Sequence, residues 1–171
     1  WLGEAVALLA AAGIEPGVVS TGGTPDLYRA HEVTAASEHR PGTYIYHDRD
    51  QARASLGLEA CAMRILATVV SRPTDGRAIL DAGSKTLSSD TNGLDGFGLI
   101  TEYPQAVLAK FSEEHGHVDC SASNARPRIG ERVTVIPNHA CAVTNLHDVV
   151  YGVRGDRVER VFKVEARGRV Q

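Results

Sequence analysis

His139 and Cys141 are the residues whose types and spacing point most directly to chemistry. They stand two positions apart in the run ProAsnHisAlaCysAlaValThrAsnLeu (137–146). In an extended segment, side chains two positions apart point to the same side, so an imidazole and a thiolate could converge on one metal ion. Two protein ligands leave coordination positions for substrate or water, which is typical of a catalytic metal rather than a structural one.

A second interpretation assigns no metal to this pair. His139 would be a hydrogen-bonded turn residue, and Cys141 would be a small buried apolar residue. Spacing alone favours this second interpretation. In both cases the stretch 133–136 predicts a strand, and the ProAsn step at 137–138 predicts a turn that projects the pair from the strand end into a cleft.

The run SerThrGlyGlyThrPro (20–25) is the second candidate site. It lies between a predicted strand end and a predicted helix start, where backbone N–H groups favour an anion. Gly22 and Gly23 would allow close approach of a ligand. Thr24 as a helix N-cap and Pro25 at the first helical position also suit an ordinary turn, and the pattern alone favours the turn.

Two further groups of polar residues are interpreted without chemistry. Lys85 lies in the polar run 81–90 and could form a Schiff base, but loop lysines are mostly solvated charges. His115 and His117 repeat the spacing of the first candidate, but the run GluGluHisGlyHis (113–117) is typical of an exposed polar turn.

Composition excludes several classes of protein. The chain has 171 residues, 43% of them hydrophobic, and a formal net charge of −3, which predicts a globular protein with no nucleic-acid partner. No apolar run approaches the roughly 18 residues that cross a membrane. Three cysteines are too few, and odd in number, for a disulfide framework, so a reducing, cytoplasmic location is expected.

The first 35 residues predict one α/β unit. An apolar helix ends at Gly13, a strand begins near Gly17, and a short helix runs from Pro25 to about Ala30.

A turn followed by a strand is predicted at 40–48, and a short polar helix at 48–56. Beyond it the pattern predicts strands at 62–70, 77–81, 97–103, 106–111, 132–136, 149–153 and 157–164. The predicted fold class is therefore mainly β, with an antiparallel barrel-like or sandwich domain after the α/β unit.

These segments in this order resemble the C-terminal half of the D-serine dehydratase / D-threonine aldolase family. Those are alanine-racemase-like pyridoxal enzymes with an N-terminal TIM-type barrel and a C-terminal β domain. The resemblance rests on ThrGlyGlyThrPro (21–25), ArgProGlyThrTyr (40–44), LeuAlaThrValValSerArg (66–72), ArgAlaIleLeuAspAlaGlySerLysThrLeuSerSerAsp (77–90) and ValIleProAsnHisAlaCysAlaValThrAsnLeu (135–146). The last two runs are specific, and together they favour the metal interpretation of His139 and Cys141.

The resemblance implies a fold, a cofactor and a metal. Residues 1–35 would be the last strand/helix unit of an incomplete TIM-type α/β barrel, and residues 36–171 a C-terminal antiparallel β-barrel-like domain that carries the metal site. Gly22, Gly23 and Thr24 would hold the phosphate of pyridoxal 5′-phosphate. His139 and Cys141 would hold a divalent ion, and a thiolate ligand favours zinc over manganese or magnesium.

The implied activity is that of a lyase acting on β-hydroxy D-amino acids. The thiolate favours dehydration and deamination over cleavage by a D-threonine or 3-hydroxy-D-aspartate aldolase. An amino-acid racemase and a non-catalytic β module are the alternatives. The implied partners are a D-amino acid substrate, the remainder of the barrel domain and a second copy in a homodimer.

The Schiff-base lysine of the family is expected upstream of Trp1. None of the three lysines of this sequence (Lys85, Lys110 and Lys163) stands in a matching position. The sequence is therefore expected to be part of a longer enzyme and to be inactive alone.

Overall fold

The computed structural model describes residues 1–54 and 56–169. They fall into two compact units, a first one over Trp1–Ile45 and a second one over the described residues from Tyr46 onward. The first unit begins with helix α1 (Leu2–Ala11). Gly13 follows it with a φ of +76°, and the Ile14 N–H donates to the Leu9 carbonyl over 2.9 Å. Such a left-handed glycine satisfies the last carbonyls of a helix, so the predicted end at Gly13 is confirmed.

Two short parallel strands complete the first unit. Strand β1 (Ser20–Gly22) pairs with strand β2 (Glu38–Arg40), and a 3-10 helix (Leu27–Glu32) connects them. The helix, strand and short helix that the sequence predicts are present in this order, although β1 begins at Ser20 rather than near Gly17. The parallel partner β2 was not predicted. The strand predicted at 40–48 is wrong, because β2 lies before the turn. Pro41 has no N–H for a strand ladder, and Thr43–Ile45 form a 3-10 turn instead.

The second unit is built on one antiparallel sheet of six strands. Its short helix α2 (Arg49–Ala54) confirms the predicted polar helix. The sheet consists of β3 (Ile65–Thr74), β4 (Arg77–Leu80), β5 (Gly98–Ile100), β6 (Val107–Phe111), β7 (Gly116–Asp119) and β8 (Arg132–Pro137) in the order β5-β8-β3-β4-β7-β6. The two edge strands of this sheet, β5 and β6, come together. The N–H of Phe97, directly before β5, donates to the Leu108 carbonyl of β6 over 3.0 Å, so the sheet is a nearly closed barrel. The predicted fold class is confirmed.

The barrel interior holds the main hydrophobic core. Side chains from all six strands are at most 1% exposed there, among them Val69, Leu80, Ile100, Leu108, Val118, Val133 and Val135. Phe97 and Phe111 stack at its edge, with ring centroids 4.6 Å apart. Burial of these alternating apolar residues is the main stabilising contribution to the second unit.

Three elements of the second unit differ from the sequence-based prediction. The region 113–117 was predicted as a polar turn, but its end begins β7, which pairs with both β4 and β6. A Cβ atom at Gly116 would lie 2.7 Å from Leu108 Cδ1, so glycine permits this close approach. Helices α3 (Ser84–Leu87) and α4 (Ala140–Leu146) were not predicted, because they are shorter than the pattern that periodicity detects.

The last two strands, both predicted from the sequence, form a hairpin. Strands β9 (Val149–Arg154) and β10 (Arg157–Lys163) pair antiparallel as a separate two-stranded sheet, and Gly155 in their turn has a φ of +56°. Every residue of β10 is exposed, so its arginines Arg157 and Arg160 are solvated. Within the described residues, no helix is both long and apolar enough to cross a membrane.

Candidate functional site

His139 and Cys141 lie where β8 passes into α4. His139 is the residue before the helix and is extended, with φ −138° and ψ 98°, whereas Cys141 lies in the first helical turn. The prediction that both residues lie in an extended segment is therefore wrong for Cys141. The helix forms here because Ala140 and Val143 pack into an apolar cluster with Met63.

The exposure of Cys141 contradicts one of the two interpretations of this residue. Its side chain is exposed, whereas Cys61 and Cys120 are buried and have pKa values raised by that burial. The interpretation of Cys141 as a small buried apolar residue is therefore wrong. An exposed thiol in the first turn of α4 is accessible to an ion or to a substrate.

Asp90 holds the imidazole ring of His139. Asp90 Oδ2 lies 2.6 Å from His139 Nδ1, and the two side chains are 44% and 36% exposed. The contact occupies one ring nitrogen and leaves Nε2 for another ligand. A histidine that binds a metal commonly has its second nitrogen held by a carboxylate in this way.

Asn138 fixes the backbone directly before this histidine. It is 1% exposed, and its Nδ2 donates to the carbonyls of Asp90 (3.0 Å) and Gly96 (2.9 Å). Its Oδ1 accepts a hydrogen bond of 2.8 Å from Arg49 Nη1. Arg49 is partly buried, which lowers its guanidinium pKa. The buried amide therefore ties the loop that carries Asp90 to the end of β8.

Asp48 fixes the backbone directly after His139. The buried carboxylate accepts one hydrogen bond from the Gln51 N–H (2.9 Å) and a second from the Ala140 N–H (2.8 Å). One side chain thus caps α2 and holds the first residue of α4. The two held residues on either side of His139 restrict the positions that the imidazole can take.

The described residues offer two candidate ligands at this site, His139 and Cys141, and no complete coordination shell. Within residues 1–54 and 56–169, no group of three or more His, Cys, Asp or Glu side chains is arranged to hold a metal ion. An ion bound by His139 and Cys141 would take its remaining ligands from substrate, from water or from another chain segment.

The glycine-rich loop lies in the first unit, at the end of β1. Gly22 belongs to the strand, and a Cβ atom there would lie 3.3 Å from the Arg40 carbonyl oxygen. Gly23 has a φ of +116°, which other residues rarely adopt. Thr24 is 3% exposed, and its Oγ1 accepts a hydrogen bond of 3.2 Å from the Tyr44 N–H.

A small cleft of about 240 Å³ opens beside this loop. Its lining includes Thr21, Gly22, Arg29 and His39. The His39 ring joins the loop at two points, with Nδ1 at 2.9 Å from Thr21 Oγ1 and Nε2 at 3.2 Å from the Gly23 carbonyl oxygen. The loop is therefore held in one shape by the neighbouring strand β2.

Lys85 has the environment of a solvated charge. Its Nζ lies 2.6 Å from Glu114 Oε1, and the two side chains are 64% and 65% exposed. The hydrogen bond to Glu114 raises the lysine pKa, whereas a lysine that attacks a carbonyl needs a lowered one. The interpretation of Lys85 as a solvent charge agrees with this environment.

Sequence reasoning missed Asp48, Asp90 and Asn138. Asp90 ends the run 77–90, one of the two specific runs of the resemblance, and Asn138 lies within the other. Those runs were the available signal for two of the three residues. Nothing in the local pattern around Asp48 pointed to a contact with residue 140.

Known proteins resemble the chain over nearly its whole length. Residues 62–153 match the family described as "Putative serine dehydratase domain". A 3-hydroxy-D-aspartate aldolase of Paracoccus denitrificans is 31% identical over 97% of this chain and 43% of its own length. A D-threo-3-hydroxyaspartate dehydratase of Delftia sp. (strain HT23) is 32% identical over 81% of this chain and 41% of its own. The chain spans less than half the length of these relatives.

Solved structures share the fold. A D-threonine aldolase from Filomicrobium marinum superposes with a TM-score of 0.85 and 30% identity, over 99% of this chain and 47% of its own. An alanine-racemase-like protein from Idiomarina loihiensis, 24% identical over 86% of this chain and 43% of its own (TM-score 0.75), shows the fold alone.

The D-threo-3-hydroxyaspartate dehydratase is also known as two alanine variants. One replaces a histidine and the other a cysteine two positions further along that chain. The cysteine variant was solved in a metal-free form and superposes with a TM-score of 0.78 and 26% identity, over 94% of this chain and 47% of its own.

Proposed function

Because the chain belongs to the family described as "Putative serine dehydratase domain", we propose that it is the C-terminal part of a pyridoxal phosphate- and metal-dependent lyase acting on β-hydroxy D-amino acids. The observation that carries the proposal is the exposed His139–Cys141 pair, whose imidazole is held by Asp90 over 2.6 Å. Both residues lie within the matched range 62–153. The remainder of the α/β barrel and a second copy of the enzyme are the proposed partners.

His139 Nε2 and Cys141 Sγ would hold the metal. The two residues replaced in the variants of the dehydratase relative are a histidine and a cysteine two positions apart. His139 and Cys141 have the same residue types and the same spacing, which supports this assignment. A divalent ion there would act as a Lewis acid toward the β-hydroxyl of the substrate. A thiolate is a soft ligand, so zinc is the proposed ion rather than manganese or magnesium.

Gly22, Gly23 and Thr24 would hold the phosphate of the cofactor. The glycines let the backbone come close to the anion, and Thr24 Oγ1 keeps its own hydrogen to donate because it accepts from the Tyr44 N–H. Pyridoxal phosphate, when bound, supplies an electron sink for the substrate α-carbon. The contribution of this chain would be to fix the phosphate and to orient the β-hydroxyl.

The proposed reaction is dehydration followed by deamination. The proposed cysteine ligand favours it, since a cysteine is the residue replaced in one variant of the dehydratase relative. Aldol cleavage is the second candidate, and the 31% identity to the Paracoccus aldolase favours it.

Product analysis with the complete enzyme tests the proposal and separates these candidates. D-Threonine should yield a keto acid and ammonia, whereas an aldolase would release glycine and an aldehyde. The L-enantiomers should react at least a hundredfold more slowly, because inversion at the α-carbon misplaces the α-hydrogen when the nitrogen and the hydroxyl stay anchored. Equal turnover of D- and L-serine would contradict the family-based proposal.

Metal analysis tests the assignment of the two ligands. The Cys141→Ala variant should bind zinc at least about tenfold more weakly, because a site with few protein ligands loses a soft one. The control is Cys120→Ala, which removes a buried thiol and should leave zinc affinity unchanged. Unchanged zinc binding in Cys141→Ala would contradict the metal site.

A further inference from the structure

Asp90 lies in a loop whose backbone is unusual on both sides of it. Ser88 has a φ of +60° and Asn92 a φ of +49°, although neither is a glycine. Left-handed conformations of this kind cost free energy and persist where the surrounding structure enforces them. The loop is therefore held in one shape.

Hydrogen bonds to this loop account for that shape. The Asp90 carbonyl accepts from Asn138 Nδ2 over 3.0 Å, and the Asn92 carbonyl accepts from Arg53 Nη2 over 3.0 Å. The loop is thus anchored to α2 on one side and to the end of β8 on the other. Asp90 is therefore held at two points: its backbone carbonyl accepts from Asn138, and its carboxylate contacts His139.

We propose that Asp90 is a positioning residue for the metal site: its carboxylate holds His139 Nδ1 so that Nε2 faces the ion. This inference rests on the metal site proposed above and assigns a role to a residue outside the ligand pair. A distance of 2.6 Å is that of a strong, charge-assisted hydrogen bond, which fixes the rotation of the ring.

The alternative is that Asp90 itself binds the ion. The carboxylate is 44% exposed and so is accessible to solvent ions. Its Oδ2, however, is engaged by the imidazole, and no cluster of three ligating groups occurs among residues 1–54 and 56–169. The arrangement favours a carboxylate that acts through the histidine, and the test below distinguishes the two roles.

Zinc titration of this chain in competition with a chromophoric chelator is the test. Asp90→Asn keeps the size of the side chain and removes its charge, and it should weaken zinc binding about 10- to 100-fold, as substitutions of outer carboxylates do. Asp90→Glu should restore part of the affinity. The matched control is Asp75→Asn, which makes the same change at an aspartate 88% exposed in the β3–β4 turn and should leave the affinity unchanged.

Cobalt spectra of the same variants give a readout that a purely structural role would not change in this way. At saturating cobalt, Asp90→Asn should keep the thiolate charge-transfer band of Cys141 and the ligand-field pattern of the unaltered chain. A changed ligand-field pattern, with a loss of affinity as large as that of His139→Ala, would show that Asp90 is a ligand and would overturn the inference.

The outcomes separate this inference from the proposed function. Unchanged zinc affinity in Asp90→Asn, together with weakened binding in Cys141→Ala, would overturn the positioning role and leave the metal site standing. If neither substitution alters zinc binding, the metal site and the inference are both overturned. Circular dichroism of each variant, recorded without metal, shows whether the fold is retained.

Discussion

At the scale of single residues, the candidate site depends on buried polar groups whose hydrogen bonds are satisfied. Asp48 and Asn138 are each 1% exposed, and both join backbone segments that are distant in the sequence. Burial of such groups costs several kcal/mol unless they find partners, so their contacts are strongly specified. Together with Asp90, they position His139.

Replacement of Asp48 should therefore destabilise the second unit. In Asp48→Asn, one of the two carboxylate oxygens becomes an NH₂ group, which cannot accept from the Gln51 or the Ala140 N–H. An unsatisfied buried donor and the lost bond should together lower the free energy of unfolding by about 2–4 kcal/mol. Urea unfolding measures this change. The exposed control Asp75→Asn should stay within about 0.5 kcal/mol of the unaltered chain, and an equal effect of both substitutions would contradict the prediction.

At the scale of elements, a buried tyrosine links the β5–β6 turn to the start of β8. Tyr103 is 8% exposed, and its hydroxyl donates to Glu131 Oε1 over 2.7 Å. Burial and this hydrogen bond raise the pKa of Tyr103 from 10.0 to about 12. The hydrogen bond from the Arg128 N–H and the one from Tyr103 lower the pKa of Glu131. The neutral phenol and the charged carboxylate are therefore the favoured pair.

Stability should accordingly fall in alkaline solution. The folded-state pKa of Tyr103 lies above its unfolded value, so the contribution is fully present below pH 10 and is lost as the pH rises towards 12. The loss should be on the order of 2 kcal/mol, since one pKa unit corresponds to about 1.4 kcal/mol. The measurement is urea unfolding of the unaltered chain and of Tyr103→Phe between pH 8 and 12. The stability difference between them should shrink over the upper two pH units, and a constant difference would contradict this assignment.

At the scale of the whole molecule, the two compact units differ in how much they bury. Within residues 1–45, all of which the structure describes, Thr24 is the only buried residue. No residue of α1 is buried, and Leu8 is 73% exposed. The second unit contains the barrel core. Local stability follows the buried apolar area, so the backbone amides of the two units should differ strongly in their protection from hydrogen exchange.

Hydrogen exchange of this chain should show that difference. Amides in the paired strands β3 and β8 should exchange at least a hundredfold more slowly than those of α1 and β1, because opening them exposes the core. Exchange followed by peptide mass spectrometry measures both regions in one sample. Similar protection in residues 1–45 and in the barrel would contradict the prediction.

The sequence by itself determined those features that depend on neighbouring residues. Short β-branched runs between turn-forming residues predicted the strands β3, β8, β9 and β10, and the glycine at position 13 marked the end of α1. The spacing of His139 and Cys141 indicated a possible site. These signals are local because side-chain periodicity and turn chemistry act over a few residues.

Tertiary structure decided how the site is held. Asp90 is 49 positions from His139 in the chain, and Asp48 is 92 positions from Ala140. The tertiary structure also decided that region 113–117 leads into a strand, because β7 pairs with both β4 and β6. It placed Cys141 in a helix. Such contacts depend on which strands become neighbours when the barrel closes, and no pattern within a short window of one sequence encodes that pairing.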